Sequence, residues 1–217
     1  MRPVIIFGAG ALATEFLAVV KHNCHVKGFV AETGITSPSL QRAFHSSNGI
    51  NLDDTCVYRS LKEALMVHPE VNDILIAVFD PAVKARVYNL IEPPVCLYSA
   101  FHPTSLVDDL ANLNEGIYLD AYSTISHGTS LGKCVLVGRH SNLGHENHIG
   151  SFVSIGPGVI LTRNVVLEDK IVIGANSVIM PEVKISAGVK IGPNSVVARN
   201  IHEPNSVWMG NPARRVR

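Results

Sequence analysis

The chain of 217 residues lacks an excess of either charge: Lys plus Arg number 18, and so do Asp plus Glu. Without a basic or acidic surplus, composition gives no reason to expect nucleic acid or a membrane surface as a partner. Small-molecule chemistry is the default. Long apolar runs are missing as well. The start, MRPVIIFGAG, has one Arg and only four apolar residues before the first glycine, too few for the apolar segment of a secretion signal. No later run nears the roughly 18 residues that a membrane-spanning helix needs. Cysteine is scarce: Cys24, Cys56, Cys96 and Cys134 have neither CxxC spacing nor the density of a disulfide framework, which suits a reducing cytoplasm. Each reads as a small buried hydrophobe.

What is present is a repeat. From Val107 an aliphatic residue returns every six positions through Leu113, Leu119, Ile125, Leu131, Val137, Leu143, Ile149, Ile155, Leu161, Leu167, Ile173, Ile179, Ile185, Ile191 and Val197. Gly follows it at 132, 138, 144, 150, 156, 174 and 192, and a small or β-branched residue often stands four after it, as at Val153, Val159, Val165, Ser177, Val183 and Ser195. A period of six fits neither a helix nor plain strand alternation, but it does fit a short strand plus a corner. Stacked coils of such strands form a β-helix over residues 107–202, its interior filled by the aliphatic ladder. The glycines are expected to relieve corners where φ must be positive. The sixteen hexapeptides make about five coils.

Ahead of the repeat, residues 3–8 read as a buried strand, Gly8-Ala9-Gly10-Ala11-Leu12-Ala13 as a glycine turn of GxGxxA form, and Leu12, Phe16, Leu17 and Val20 as the face of a helix. In such a turn the glycines admit a pyrophosphate and the helix N-terminus supplies N–H donors. A second strand, His25 to Val30, ends at Ala31-Glu32. Glu32 is either the acidic residue that contacts a ribose or base in such folds, or an ordinary solvated loop carboxylate. Residues 33–54 read as a long loop with one short helix. Ser60-Leu61-Lys62-Glu63 matches a capping box, Asp73 to Phe79 reads as a buried strand, and Asp80-Pro81 opens a helix to about Ile91. A last strand, Val95 to Tyr98, completes a small parallel-sheet α/β domain over residues 1–98, with 99–106 as linker and 203–217 as a C-terminal cap.

The [LIV]-G-x4 pattern is similar to that of the hexapeptide-repeat acyltransferases, which implies a left-handed parallel β-helix with three hexapeptides per coil. A Rossmann-like domain of this size ahead of it resembles the bacterial sugar-nucleotide N-acyltransferases, the group that includes UDP-4-amino-sugar acetyltransferases. The run Leu143-Gly144-His145-Glu146-Asn147-His148-Ile149-Gly150, followed by Ser154-Ile155-Gly156-Pro157-Gly158, is similar to the H-[DE]-x-x-I-G stretch of their active coil. Gly210-Asn211-Pro212-Ala213-Arg214 resembles their G-x-P-A-[KR] ending. By that resemblance His145 is a general base and Glu146 its orienting carboxylate, in transfer of an acetyl group from acetyl-CoA to a nucleotide-linked amino sugar. The chemistry asks for such a pair. The amine must lose a proton as it attacks the thioester, an imidazole is well matched to take it, and a carboxylate steadies the imidazolium. The amine attacks directly, because no cysteine or serine stands beside His145 as a nucleophile.

The resemblance further implies that Gly8, Gly10, Ala11, Leu12, Glu32, Phe79, Asp80, Gly138 and Arg139 meet the nucleotide sugar. Acetyl-CoA would run past Ser154, Ala175 and Pro193. Arg214, Arg215 and Arg217 either reach its phosphates or form a basic solvated tail, and Arg163 either pairs with those phosphates, narrows the acyl pocket or is a solvated corner residue. It implies a homotrimer with active sites between subunits, no metal, and a setting in the assembly of surface polysaccharide. Three positions depart from the family pattern. Ala11-Leu12 stands where Gly-His is usual, Gly138 where many relatives carry an asparagine facing the sugar, and Arg163 where they carry a small residue. Two other readings stay open. One is a sugar-nucleotide-binding β-helix protein without catalysis. The other is a zinc enzyme like the γ-class carbonic anhydrases, since His140 and His145 have the spacing of two of its ligands, although neither His127 nor His102 stands at the separation of the third. His140 and His148 read as surface residues or as the rim of the substrate site.

Overall fold

Four consecutive apolar residues, Val4 to Phe7, are all buried in β1 (Arg2–Phe7), which lies between two parallel neighbours. In this computed structural model, which describes residues 1–21, 23–32 and 56–216, β1 pairs with β2 (Cys24–Val30) on one side and with β4 (Asp73–Ile76) on the other. With β3 (Cys56–Tyr58) and β5 (Cys96–Leu97), the sheet order is β3-β2-β1-β4-β5, all parallel. The order reverses at β1, so the C-terminal ends of β1 and β4 flank a topological switch point. The 33–54 loop and Arg217 lie outside the described residues.

Three helices among the described residues follow from local signals. α1 (Ala11–Val20) buries Ala13, Phe16, Leu17, Val19 and Val20. α2 (Leu61–Val67) is capped as its sequence asks: the Ser60 hydroxyl accepts the N–H of Glu63 at 3.1 Å, and the Glu63 carboxylate accepts that of Arg59 at 2.8 Å. α3 (Pro81–Tyr88) begins at proline, with Asp80 accepting the N–H groups of Ala82 and Val83. The chain divides into two units, Met1–Phe79 with Arg86–Ala100, and Asp80–Ala85 with Phe101 onward, so the division passes through α3.

The second unit is a β-helix of two-residue strands. Thr124 pairs with Asn142, Ser130 with His148 and Leu136 with Ser154, each a step of 18 residues, so three hexapeptides make one coil. Three faces result. Face one carries Leu106–Val107, Thr124–Ile125, Asn142–Leu143, Ile160–Leu161, Val178–Ile179 and Val196–Val197. Face two starts at Asn112–Leu113. Face three starts at Ala100–Phe101, so the stretch 99–106 expected as a linker already carries strands of the ladder. The second residue of each repeat strand points inward, and Leu143, Ile155, Leu161, Ile173 and Ile179 are fully enclosed. Corner residues Val153, Val159, Val165, Ser177 and Ser195 are enclosed with them.

The glycines work differently from the expectation. Positive φ falls two residues beyond them, at Tyr122, Cys134, His140, Glu146, Phe152 and on at intervals of six, and glycine occupies only some of these positions. Glycine directly after the aliphatic residue is required by the closeness of the coils: a Cβ on Gly144 would overlap the carbonyl oxygen of Thr162 one coil on. Among the cysteines, Cys24 and Cys134 are buried as expected, and burial pushes the Cys134 thiol up to about 12. Cys96 is exposed, because it sits at the edge of the small sheet just after Pro93-Pro94. At the C-terminal end Val207–Met209 joins face three, and Arg214–Arg215 folds back on it antiparallel. No helix among the described residues is long and apolar enough to cross a membrane.

Candidate active site

The corner between faces one and two in the third coil is Gly144-His145-Glu146-Asn147. The amide side chain of Asn147 is fully enclosed and ties the corner shut. Its Nδ2 donates to the carbonyls of Gly144 (2.6 Å) and Thr162 (3.1 Å), and its Oδ1 accepts the N–H of Val165 (2.8 Å). The coil before contributes Thr129, whose hydroxyl donates to Gly144 and accepts from the Asn147 N–H. With Asn147 turned inward, His145 and Glu146 project outward. His145 Nδ1 lies 3.8 Å from Glu146 Oε2, and the two side chains are 43% and 58% exposed. This separation is an ion-pair distance rather than a hydrogen bond, and it leaves Nε2 as the nitrogen facing away from the carboxylate.

The same column carries His127 in the coil before and Arg163 in the coil after, while Glu182 stands two coils beyond Glu146 in the neighbouring column. The rings of His127 and His145 stack with centroids 5.3 Å apart and planes 4° apart. Arg163 is paired with Glu182 at 2.9 Å. At the other edge of face one, between faces three and one, stand Gly138 and Arg139, and in later coils Ala175 and Pro193. Arg139 Nε donates to the nearly buried carboxylate of Asp120 at 3.1 Å, and the His140 ring stacks on Tyr122. A single chain therefore does not bring Ala175 and Pro193 to His145, because the whole of face one separates the two corners. Ser154 is enclosed. Arg214 lies at the end of the β-helix, where Arg199, Trp208 and Ala213 help line a cleft of about 550 Å³. Face two holds His148, bonded to Ser130.

In the first unit the glycine turn stands at the switch point. Gly8 has φ of +121°, and a Cβ there would lie 2.5 Å from the carbonyl oxygen of Ala77, so β4 approaches too closely for any side chain. Gly10 caps α1 with no side-chain bond to the first turn, where Ala11 and Leu12 sit. Phe79 follows β4 and is partly exposed. Asp80 is engaged as the helix cap. Glu32 is held by the Arg86 guanidinium through both carboxylate oxygens, and this bonding keeps its carboxyl below the usual range. Sequence had no means of pairing residues 54 positions apart. Asn147, Thr129, His127 and Asp120 were likewise missed. Asn147 and Thr129 were recoverable, since both stand at the small-residue position four after the aliphatic.

The family model described as bacterial transferase hexapeptide (six repeats) matches residues 170–200. The acetyltransferase domain of PglB from Neisseria gonorrhoeae, in complex with acetyl coenzyme A, is similar with a TM-score of 0.82 and 23% identity over 99% of both chains. WeeI from Acinetobacter baumannii gives 0.81 at 20% identity over all of both chains. A perosamine N-acetyltransferase from Caulobacter crescentus, in complex with CoA and GDP-perosamine, gives 0.74 at 19% identity over 99% of this chain and 97% of that one. No curated protein matches the sequence. The chain shares its fold with these three proteins over nearly its whole length. It comprises the small parallel sheet followed by the left-handed β-helix. Among the described residues, no three of His, Cys, Asp and Glu converge to hold a metal. His140 and His145, the pair behind the zinc reading, stand at different edges of face one and stack on different rings.

Proposed function

We propose that this protein transfers an acetyl group from acetyl-CoA to the amine of a nucleotide-linked amino sugar, with His145 as general base. The observation that carries the reading is the outward His145–Glu146 pair on a rigid β-helix corner, in a fold shared over its whole length with proteins crystallised with CoA and an amino-sugar nucleotide. The sugar amine attacks the thioester carbonyl, forming the C–N bond. His145 Nε2 takes the amine proton, while Glu146 closes on Nδ1–H of the imidazolium. Collapse of the tetrahedral intermediate breaks the C–S bond, and the imidazolium returns its proton to the departing thiolate, giving CoA and the amide.

The diphosphate is assigned to the glycine turn Gly8 to Leu12 at the start of α1, where first-turn N–H groups have no capping side chain. Phe79 is assigned to the same ligand within the first unit, and Gly138 and Arg139 are the candidates for substrate contact on the β-helix. With Glu32 and Asp80 engaged by Arg86 and by α3, their part is to shape the surroundings rather than to offer a free carboxylate. The cofactor residues Ala175 and Pro193 sit across face one from His145, so the site is assembled between neighbouring copies. Face one supports a trimer through its outward apolar positions: Leu106, 68% exposed, at one end, and Ile160, 43% exposed, with Val178 and Val196 at the other, Thr124 and Asn142 lying between them. Arg163 and Arg214 are the candidates for CoA phosphates, Arg163 after release from Glu182. The proposed donor and acceptor support a cytoplasmic reaction, in the supply of modified sugars for surface glycans.

The test is thiol release from acetyl-CoA against UDP-, dTDP- and GDP-linked amino sugars. Turnover with one donor supports the reading. Silence across the panel, with a nucleotide still protecting the protein against heat, favours a binding role instead.

A further inference from the structure

Resting on that reading, we propose that His127 and Gly128 form a positioning platform for the His145–Glu146 pair. The corner one coil before the base presents two features to it, residue against residue. The His127 ring lies parallel to that of His145, 5.3 Å between centroids and tilted by 4°. Beside it Gly128 has no side chain, and a Cβ there would come to 3.0 Å from Glu146 Cγ, tighter than ordinary contact. The carboxylate arm therefore occupies space that the glycine leaves open. The two corners are locked in this register by the backbone, since the Glu146 N–H donates to the His127 carbonyl at 3.0 Å. One coil on, the Asn164 N–H donates to the His145 carbonyl at 3.2 Å.

The platform answers a specific need. An imidazole on an exposed corner has two side-chain torsions and no wall on its solvent side, so it samples several rotamers. A flat ring stacked on one face removes most of them while leaving the ring edge, and so Nε2, open to substrate. The other face is not closed by a competing cation, because Arg163 of the next coil is drawn to Glu182. The groups facing His145 are thus His127 below, Glu146 beside Nδ1, and the neutralised Arg163 above. His127 acts through His145 and touches no reacting atom.

His127 is exposed, so its replacement is compatible with folding, and thermal melting of each variant checks this. Two substitutions separate the flat ring from its absence: His127→Phe keeps a stacking surface, and His127→Ala removes it. The expected result is that His127→Ala lowers kcat about 10-fold, with KM for both substrates within about 3-fold, and that His127→Phe recovers most of the rate. In parallel, the ring signals of His145 in NMR spectra carry the ring-current displacement of a stacked neighbour in the wild type and in His127→Phe, and lose it in His127→Ala. A His127→Ala enzyme with unchanged kcat, a His127→Phe no better than His127→Ala, or His145 signals indifferent to both would overturn the proposal. Should the wild type acetylate no amino-sugar nucleotide, the reaction assignment fails while the ring signals still decide whether the platform exists.

Discussion

Asn147 donates to the carbonyl of Gly144 at 2.6 Å and so closes the turn on which His145 stands. The side chain that faces the interior thereby fixes the one that faces solvent. Asn147→Ala is expected to leave the Gly144 and Thr162 carbonyls and the Val165 N–H unsatisfied in an enclosed space, which costs about 2–4 kcal/mol of stability. Denaturant unfolding measures it. A loss under about 0.5 kcal/mol would show that the corner holds without the amide.

Replacing the base itself should separate chemistry from binding. His145→Ala is expected to lower kcat by about 10² to 10⁴. Affinity for the nucleotide, measured by calorimetry, should stay within about 3-fold, because the glycine turn belongs to the other unit. Unchanged turnover in this variant would remove His145 from the mechanism.

Face one provides a test of the assembly. Ile160→Glu places a carboxylate on the outward row of face one, between Asn142 and Val178, where burial against another chain would be costly. The proposed trimer is expected to fall apart in this variant, as read by sedimentation against the wild type, and specific activity is expected to fall with it. A monomeric variant with full turnover would show that one chain holds the complete site.

Lys84 gives the protein a pH signature. It is 1% exposed, its Nζ donates to the carbonyls of Cys134 and Val153 at 2.9 Å each, and burial pulls its pKa down to about 7. A neutral amine has two N–H groups for these two acceptors. Between about 7 and the ordinary lysine value of 10.5 the unfolded chain holds a proton that the folded chain lacks, so unfolding takes one up. Stability therefore rises with pH through this window, by at most about 1.4 kcal/mol per pH unit from this group, and falls as pH drops toward 7. Unfolding midpoints between pH 7 and 10 should show the slope, and Lys84→Met should flatten it. An equal slope in the variant would assign the dependence elsewhere.

The β-helix was legible because its interior is a single stack of one residue class at one period, so each repeat testifies for the next. His145 and Glu146 were legible as a pair because neighbours in sequence on a corner stay neighbours in space. What was not legible depends on separations that no period encodes. Lys84 reaches carbonyls 50 and 69 residues away, and Arg86 meets Glu32 54 residues back. The reason for the glycines was misread because the crowding they relieve comes from the coil 18 residues on, which local backbone preference does not reveal. The stacking of His127 on His145 spans that same separation, so the sequence offered the base without the ring beneath it.

The fixed step of 18 residues also governs how such a chain can change in length. A single inserted residue within the ladder would turn every later aliphatic side chain out of the interior, whereas removal of one whole turn would rejoin like with like. Variation in size is therefore quantised within the prism, and lengthening by other amounts is confined to its corners, where an extra loop can leave and return without disturbing the count.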